Sequence, residues 1–207
     1  MNPLNSVAGT IAAGIVLAIV IAAATAGVAF NAVSFIVWLH VLAGITWIGL
    51  LYYFNFVQVP ALADAASDEG GPGGAGITKY VAPRALWWFR WGAVVTWLSG
   101  AAYLGHIKMF GAAFMLGMGG EVLNAQAMYI GVGAWLGTIM LFNVWVLIWP
   151  NQKKILGMVE ASPDEIAKAR KVAFLASRTN TLLSIPMLMS MVGFGHGGFF
   201  ILSLIHI

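Results

Sequence analysis

The chain has 207 residues, of which 61% are hydrophobic and 8% charged, against roughly one quarter charged in soluble domains; this excludes a soluble globular protein and indicates an integral membrane protein. Its formal net charge of +3 comes from ten Lys and Arg against seven Asp and Glu, and six of the ten lie between Asn151 and Arg178, which is a membrane-topology signal and not a nucleic-acid footprint. Cysteine is absent, so disulfides, thiolate metal sites and covalent c-type heme attachment are excluded, and four histidines remain as the strong nitrogen ligands.

Apolar runs long enough to cross about 30 Å of hydrocarbon as helices of roughly 20 residues fall at 8–30, 34–58, 85–105, 128–149 and 179–200. The first, rich in Ala, Ile and Val, has no basic residue before it and no clear polar region after it before Asn31, so it reads as a retained helix and not as a signal peptide. Between the second and third runs, "ADAASDEGGPGGAGITKY" is short, polar and glycine-rich, a flexible loop within one domain. "HIKMFGAAFMLGMGG" at 106–120 reads as an interfacial or re-entrant segment. In the connection 151–178, Ser162, Pro163 and Glu165 form a helix-start signature with a capping serine, a proline at the first helical position and a glutamate three residues on. A short amphipathic helix is expected to begin there. Its Lys168, Arg170 and Lys171, with Lys153 and Lys154 upstream and Lys79 and Arg84 in the 59–84 loop, place both loops in the cytoplasm by the positive-inside rule. The parity gives a bacterial inner-membrane protein with its N-terminus in and its C-terminus out. The expected fold is an all-α bundle of about five transmembrane helices plus a short amphipathic cytoplasmic helix, as one domain over 1–207.

That topology puts His40 about six residues, or roughly 9 Å, below the outer boundary, with His106 ending the third span and His196 near the outer end of the fifth. An imidazole inside an apolar run is costly unless partnered. Neutral imidazole is also a good axial ligand for heme iron, and a helix bundle holds heme through histidines on facing helices, with Gly44, Gly193 and Gly195 as small residues making room for the macrocycle. The sharp reading is therefore heme b with His40 and His196 as iron ligands and His106 as the other candidate. The plain alternative is that these histidines hydrogen-bond to carbonyls or interfacial water.

A second polar set lies toward the inner side: Asn55 and Gln58, Arg90, Asn143, and Arg178 with Asn180. Arg90, inside "WWFRW" and only about five residues from the inner boundary, either snorkels to the interface or joins the asparagines in holding an anionic substrate or a quinone headgroup. Asn143 is deep enough to need a protein or ligand partner. No catalytic residue is assigned by these patterns.

"WLHVLAGITWIGLLYYFNF" (38–56), "ALWWFRWGAVVTWLSGAAYL" (85–104), "LGTIMLFNVWVLIWPNQKKI" (136–155) and "SRTNTLLSIPMLMSM" (177–191) resemble, in order and character, the membrane domain of the bacterial membrane-bound, cytochrome-c-linked urate oxidase family. The resemblance covers most of the chain after residue 35. It implies a helical membrane module coupled to urate oxidation in purine catabolism, with electrons passed to a cytochrome c domain fused at the C-terminus; for this chain the expected acceptor is a periplasmic cytochrome c. Val132 stands where the longer members have a histidine, and this chain has neither their additional spans nor the fused cytochrome domain. A smaller similarity around His40, Trp47, Gly49, Leu50 and Tyr52 is to the heme-binding bacterial protoporphyrinogen oxidases. Two further readings thus stay open: a porphyrin-oxidising enzyme, and a non-enzymatic subunit or small-solute channel with structural histidines. Finally, "LSLIHI" at 202–207 equals the translation of one frame of a common transposase adapter, so these residues are expected to be artefactual and His206 is set aside.

Overall fold

The computed structural model describes residues 2–26 and 31–197. The expectations for 202–207, and for the ends of the first and fifth spans, lie outside the described residues. The chain divides into two units, Met1–Phe35 and Ile36–Ile207.

In the first unit a single 3-10 turn, Pro3–Asn5, precedes α1, Val7–Ala26. No α1 side chain among the described residues is buried. A helix that is apolar all round is suited to lipid, and Val7–Thr25 is long and apolar enough to cross a membrane.

α2, Ala32–Tyr53, lies in the second unit from Ile36 on and runs through a π-helical segment, Phe54–Gln58, into α3, Val59–Ser67. A second π segment, Ile77–Val81, leads into α4, Ala82–His106, and the short α5, Phe110–Phe114, follows. Next, α6, Ala125–Phe142, passes through a third π segment, Asn143–Ile148, into α7, Trp149–Ile155. The long α8, Pro163–His196, completes the described chain. Ala32–Ser67 and Ala125–Ile155 are the other two described helices long and apolar enough to span a bilayer. Together with α1 they support membrane association. All described secondary structure is helical, and α5, with five residues, is too short to cross, so 106–120 forms no span.

Each π segment has a cause in the sequence. Pro60, Pro83 and Pro150 follow the three segments closely; proline lacks the N–H and crowds the preceding turn. The ladder adjusts by one residue: the N–H groups of Val59, Ala82 and Trp149 donate to the carbonyls of Phe54, Ile77 and Val144, five residues back. One consequence matters for the interior: Asn55 and Asn143 both sit in these widened turns and are buried.

Cross-helix contacts give the bundle its order. His40 meets Thr96 and Phe54 meets Phe89, so α4 runs antiparallel to α2. Trp97 meets Thr138 and Trp91 meets Trp145, so α6 runs antiparallel to α4. Asn143 meets Asn180 and Ser190 meets Tyr129, so α8 runs antiparallel to α6. Tyr52 meets Ser184 and Asn55 meets Ser177, which closes α8 onto α2. The second unit is thus an up-down-up-down four-helix bundle. Trp47, Leu51, Phe54, Phe89, Met140, Val144 and Met187 fill its centre, and Leu104, Ala113 and Ile130 form a smaller cluster at one end.

The start of α8 matches the sequence signature. Glu165 N–H donates to Ser162 Oγ at 3.3 Å, and Ser162 N–H donates to Glu165 Oε2 at 2.9 Å. The expected short amphipathic helix, however, is not separate: 163–178 and the fifth apolar run are one continuous helix of 34 residues. No proline or glycine interrupts Asp164–Arg178, so nothing ends the helix at the membrane edge. The Ser162 backbone N–H, followed by the charge of Lys154, holds the Glu165 carboxyl below its ordinary pKa. Its contribution to this helix end is therefore present above the ordinary glutamate range and lost as the pH falls through the lowered value. Amide hydrogen exchange at Ser162 is expected to accelerate over that acid window; exchange independent of pH-driven release, after correction for the intrinsic rate, would contradict the cap.

Candidate functional site

The bundle sorts the candidate residues into two ends. His40 lies level with Thr96 and Gly100 on α4, and Tyr103, just before His106, meets Phe194, just before His196. Three histidines therefore gather toward one end of the bundle. Asn55, on the same helix run as His40, is fifteen positions away, or roughly 22 Å along the axis.

His40 is half-buried, and its Nδ1 lies 2.8 Å from the carbonyl oxygen of Thr96 and 3.3 Å from Ser99 Oγ. The Ser99 hydroxyl lies 2.6 Å from the Val95 carbonyl and 3.0 Å from that of Thr96. A carbonyl only accepts, so Nδ1 carries the proton and Nε2 keeps its lone pair. The ring is seated by Gly100: a Cβ there would come within 2.9 Å of His40 Cε1. The absence of a side chain on α4 is what admits the imidazole. His196 is exposed, with Nδ1 3.2 Å from the Val192 carbonyl of its own helix, and His106 is exposed at the end of α4. Gly193 is buried, while a Cβ added at Gly44 would lie 3.7 Å from Thr96 Cγ2, an ordinary van der Waals distance. Among the described residues no group of three or more His, Asp or Glu gathers as a metal cage.

At the other end, three buried asparagines converge on α8. Asn143 Nδ2 donates to Asn180 Oδ1 at 2.8 Å, and Asn180 Nδ2 donates to the Met140 carbonyl at 3.0 Å. Asn55 Nδ2 lies 2.8 Å from both the Leu51 carbonyl and Ser177 Oγ. One α-turn away on the same α2–α8 seam, Tyr52 OH and Ser184 Oγ are 2.9 Å apart. Gln58 is buried and its Oε1 has no hydrogen-bond partner in the protein. Inside a low-dielectric bundle such an orphaned acceptor calls for a water or ligand donor.

The arginines do not join this network. The Arg90 guanidinium carbon sits 3.5 Å from the ring centroid of Trp149, and that of Arg178 sits 5.2 Å from the Phe174 ring. Stacking on an aromatic face gives the planar guanidinium a place at the edge of an apolar region without a carboxylate. Of the inner-side set, the structure thus joins Asn143 to Asn180 and brings Asn55 to the same helix, while Arg90 and Arg178 have separate aromatic partners. Sequence reasoning missed Ser177, Ser184, Thr96, Gly100 and Trp149. Ser177, Asn180 and Ser184 recur at three- and four-residue spacing, which puts them on one helix face and was the available signal; Gly100 and Trp149 act only through contacts between helices.

No curated protein and no solved structure matches the chain. Residues 112–201 match the family described as urate oxidase N-terminal. This stretch carries α6, α7 and α8 and with them Asn143, Arg178, Asn180 and His196, so the second half of the chain is similar to the urate oxidase N-terminal family.

Proposed function

We propose that the chain is a membrane redox module of the urate oxidase type, in which His40 ligates heme b near one membrane face and electrons leave to a periplasmic cytochrome c. The observation that carries this reading is the fixed tautomer of His40. Its Nδ1 proton is committed to the Thr96 carbonyl, 2.8 Å away, and histidines that bind metals commonly donate their other ring N–H to a backbone carbonyl in this way. The remaining Nε2 would be the atom that holds the iron. His196, with Nδ1 against its own helix carbonyl, is the second ligand, ahead of His106. Heme b bound there would supply a one-electron carrier; the protein's part is to orient His40 through Thr96 and Gly100 and to shield it among helices.

In this reading the interior polar set toward the other face, Asn55, Gln58, Asn143 and Asn180, supports an uncharged group that donates, such as a quinol hydroxyl or a substrate N–H, to the orphaned Gln58 Oε1. The orientation is N-terminus in and C-terminus out across a bacterial inner membrane, because the basic residues of 151–178 are retained in the cytoplasm. Urate as the substrate rests on the family relation alone.

The same His40 geometry also favours a second reading, a structural clasp between α2 and α4, because an imidazole donating to a carbonyl across a helix pair is itself satisfied. His40→Ala separates the two. In a heme module it abolishes heme retention while helical content stays; in a clasp it lowers stability with no pigment to lose. Undiminished heme in His40→Ala would remove the ligand assignment.

A further inference from the structure

Two cations share one indole at the α4–α7 seam. The Arg90 guanidinium lies 3.5 Å from the Trp149 ring centroid and Lys153 Nζ lies 5.9 Å from it. Neither has a carboxylate partner: among the described residues the ion pair present is Lys154 with Glu165, at 3.5 Å. Both side chains are only half-buried. Two uncompensated positive charges on a single ring face an anion or nothing.

The same seam continues as an apolar trough. Counting from Arg90 along α4, the next residues on that face are Val94 and Trp97; counting back from Trp149, they are Trp145, Phe142, Leu141 and Thr138. These six line an open depression of about 360 Å³. Its one polar pair is internal, Trp97 Nε1 donating to Thr138 Oγ1 at 2.8 Å. Trp87, Trp88 and Trp91 flank Arg90 and are 44–48% exposed, the placing of an aromatic belt at the headgroup level.

From this charge complementarity and the continuity of the trough with it, we infer that the α4–α6/α7 seam binds one anionic phospholipid, with its phosphate between Arg90 and Lys153 and an acyl chain along Val94, Trp97, Leu141 and Trp145. The inference uses the membrane setting but no redox chemistry. Arginine's fork suits phosphate oxygens, and lysine adds a mobile point charge. Each basic residue near the membrane surface strengthens anionic-lipid attraction, so removing both lowers affinity by roughly tenfold or more. A free anion would need the charges but not the trough.

The test is native mass spectrometry of the purified full chain in detergent, titrated with phosphatidylglycerol or with phosphatidylcholine carrying the same acyl chains. The expected result is retention of phosphatidylglycerol at least tenfold over phosphatidylcholine. Arg90→Gln combined with Lys153→Gln should erase the preference, and Lys153→Gln alone, at a half-exposed site that leaves the Arg90–Trp149 stack intact, should reduce it severalfold. Leu141→Trp, which fills the trough, should weaken both lipids. Glycerol phosphate at equal concentration should not displace the lipid. Equal retention of the two lipids, a preference unchanged in Lys153→Gln and in whatever double variant folds, or displacement by glycerol phosphate as effective as by the lipid would each overturn the assignment, the last by showing a free-anion site.

Discussion

Asn180→Leu is expected to destabilise the bundle by about 2 kcal/mol, read as a fall in the thermal or detergent-unfolding midpoint of the helical circular dichroism signal. Asn180 is fully buried and links two groups: it accepts from Asn143 Nδ2 at 2.8 Å and donates to the Met140 carbonyl at 3.0 Å. Hydrogen bonds between membrane helices average only about 0.6 kcal/mol. The larger cost comes from stranding the Asn143 donors without a partner in a dry interior. The design of the control follows from that. The double variant Asn143→Leu with Asn180→Leu removes both polar partners and should be no less stable than the single variant, because an apolar pair of similar size leaves nothing stranded. A double variant that loses the sum of both single effects would show the asparagines acting independently.

Gly131→Ala is expected to cost about 1–3 kcal/mol by overpacking. A Cβ at Gly131 would collide with the carbonyl oxygen of Ala113 and lie 2.9 Å from its carbonyl carbon. Both are backbone atoms of α5, so no side chain can rotate away; α5 as a whole must move. Ala113 and the adjacent Ile130 belong to the small core cluster with Leu104, so the displacement reaches the end of α4 that carries His106. Gly49→Ala is the matched control, since a Cβ there meets nothing within 4 Å; it should be neutral or gain up to about 1 kcal/mol from helix propensity. Equal effects of the two substitutions, measured by thermal unfolding, would refute the close approach of α5 to α6.

Several parts of this arrangement were legible in the chain because they are local. Ser162, Pro163 and Glu165 lie within four residues of one another, so their capping geometry could be read directly and is found. The long apolar runs of α1, α2 and α6 likewise follow from composition. What failed to show was set by the absence of a local signal. The continuity of α8 from Pro163 to His196 depends on the polar first half packing Ala169, Ala173 and Ala176 inward, whereas hydropathy marks a boundary there. The lengthened turns before Pro60 and Pro150 were written in the sequence as prolines inside apolar runs, but their effect, aiming Asn55 and Asn143 inward, emerges only from the ladder shift.

The candidate site divides in the same way. Depth along each run groups the three histidines toward one end, since helix rise converts position into height. Depth also grouped Arg90 with the asparagines, and there height was not enough: azimuth decides contact, and Arg90 turns to Trp149 on α7 while Asn143 turns to Asn180 on α8. The partners that fix His40, Thr96 and Gly100, are a backbone carbonyl and a missing side chain, neither of which any residue pattern announces.

The most direct test of the redox reading is the absorption spectrum of the purified full chain, oxidised and dithionite-reduced, beside that of His40→Ala. A Soret band and a reduced α band of heme b are expected in the wild-type protein, both lost in His40→Ala at unchanged helical content. A wild-type protein without either band after expression with ample heme supply, or a His40→Ala protein with both bands undiminished, would contradict it.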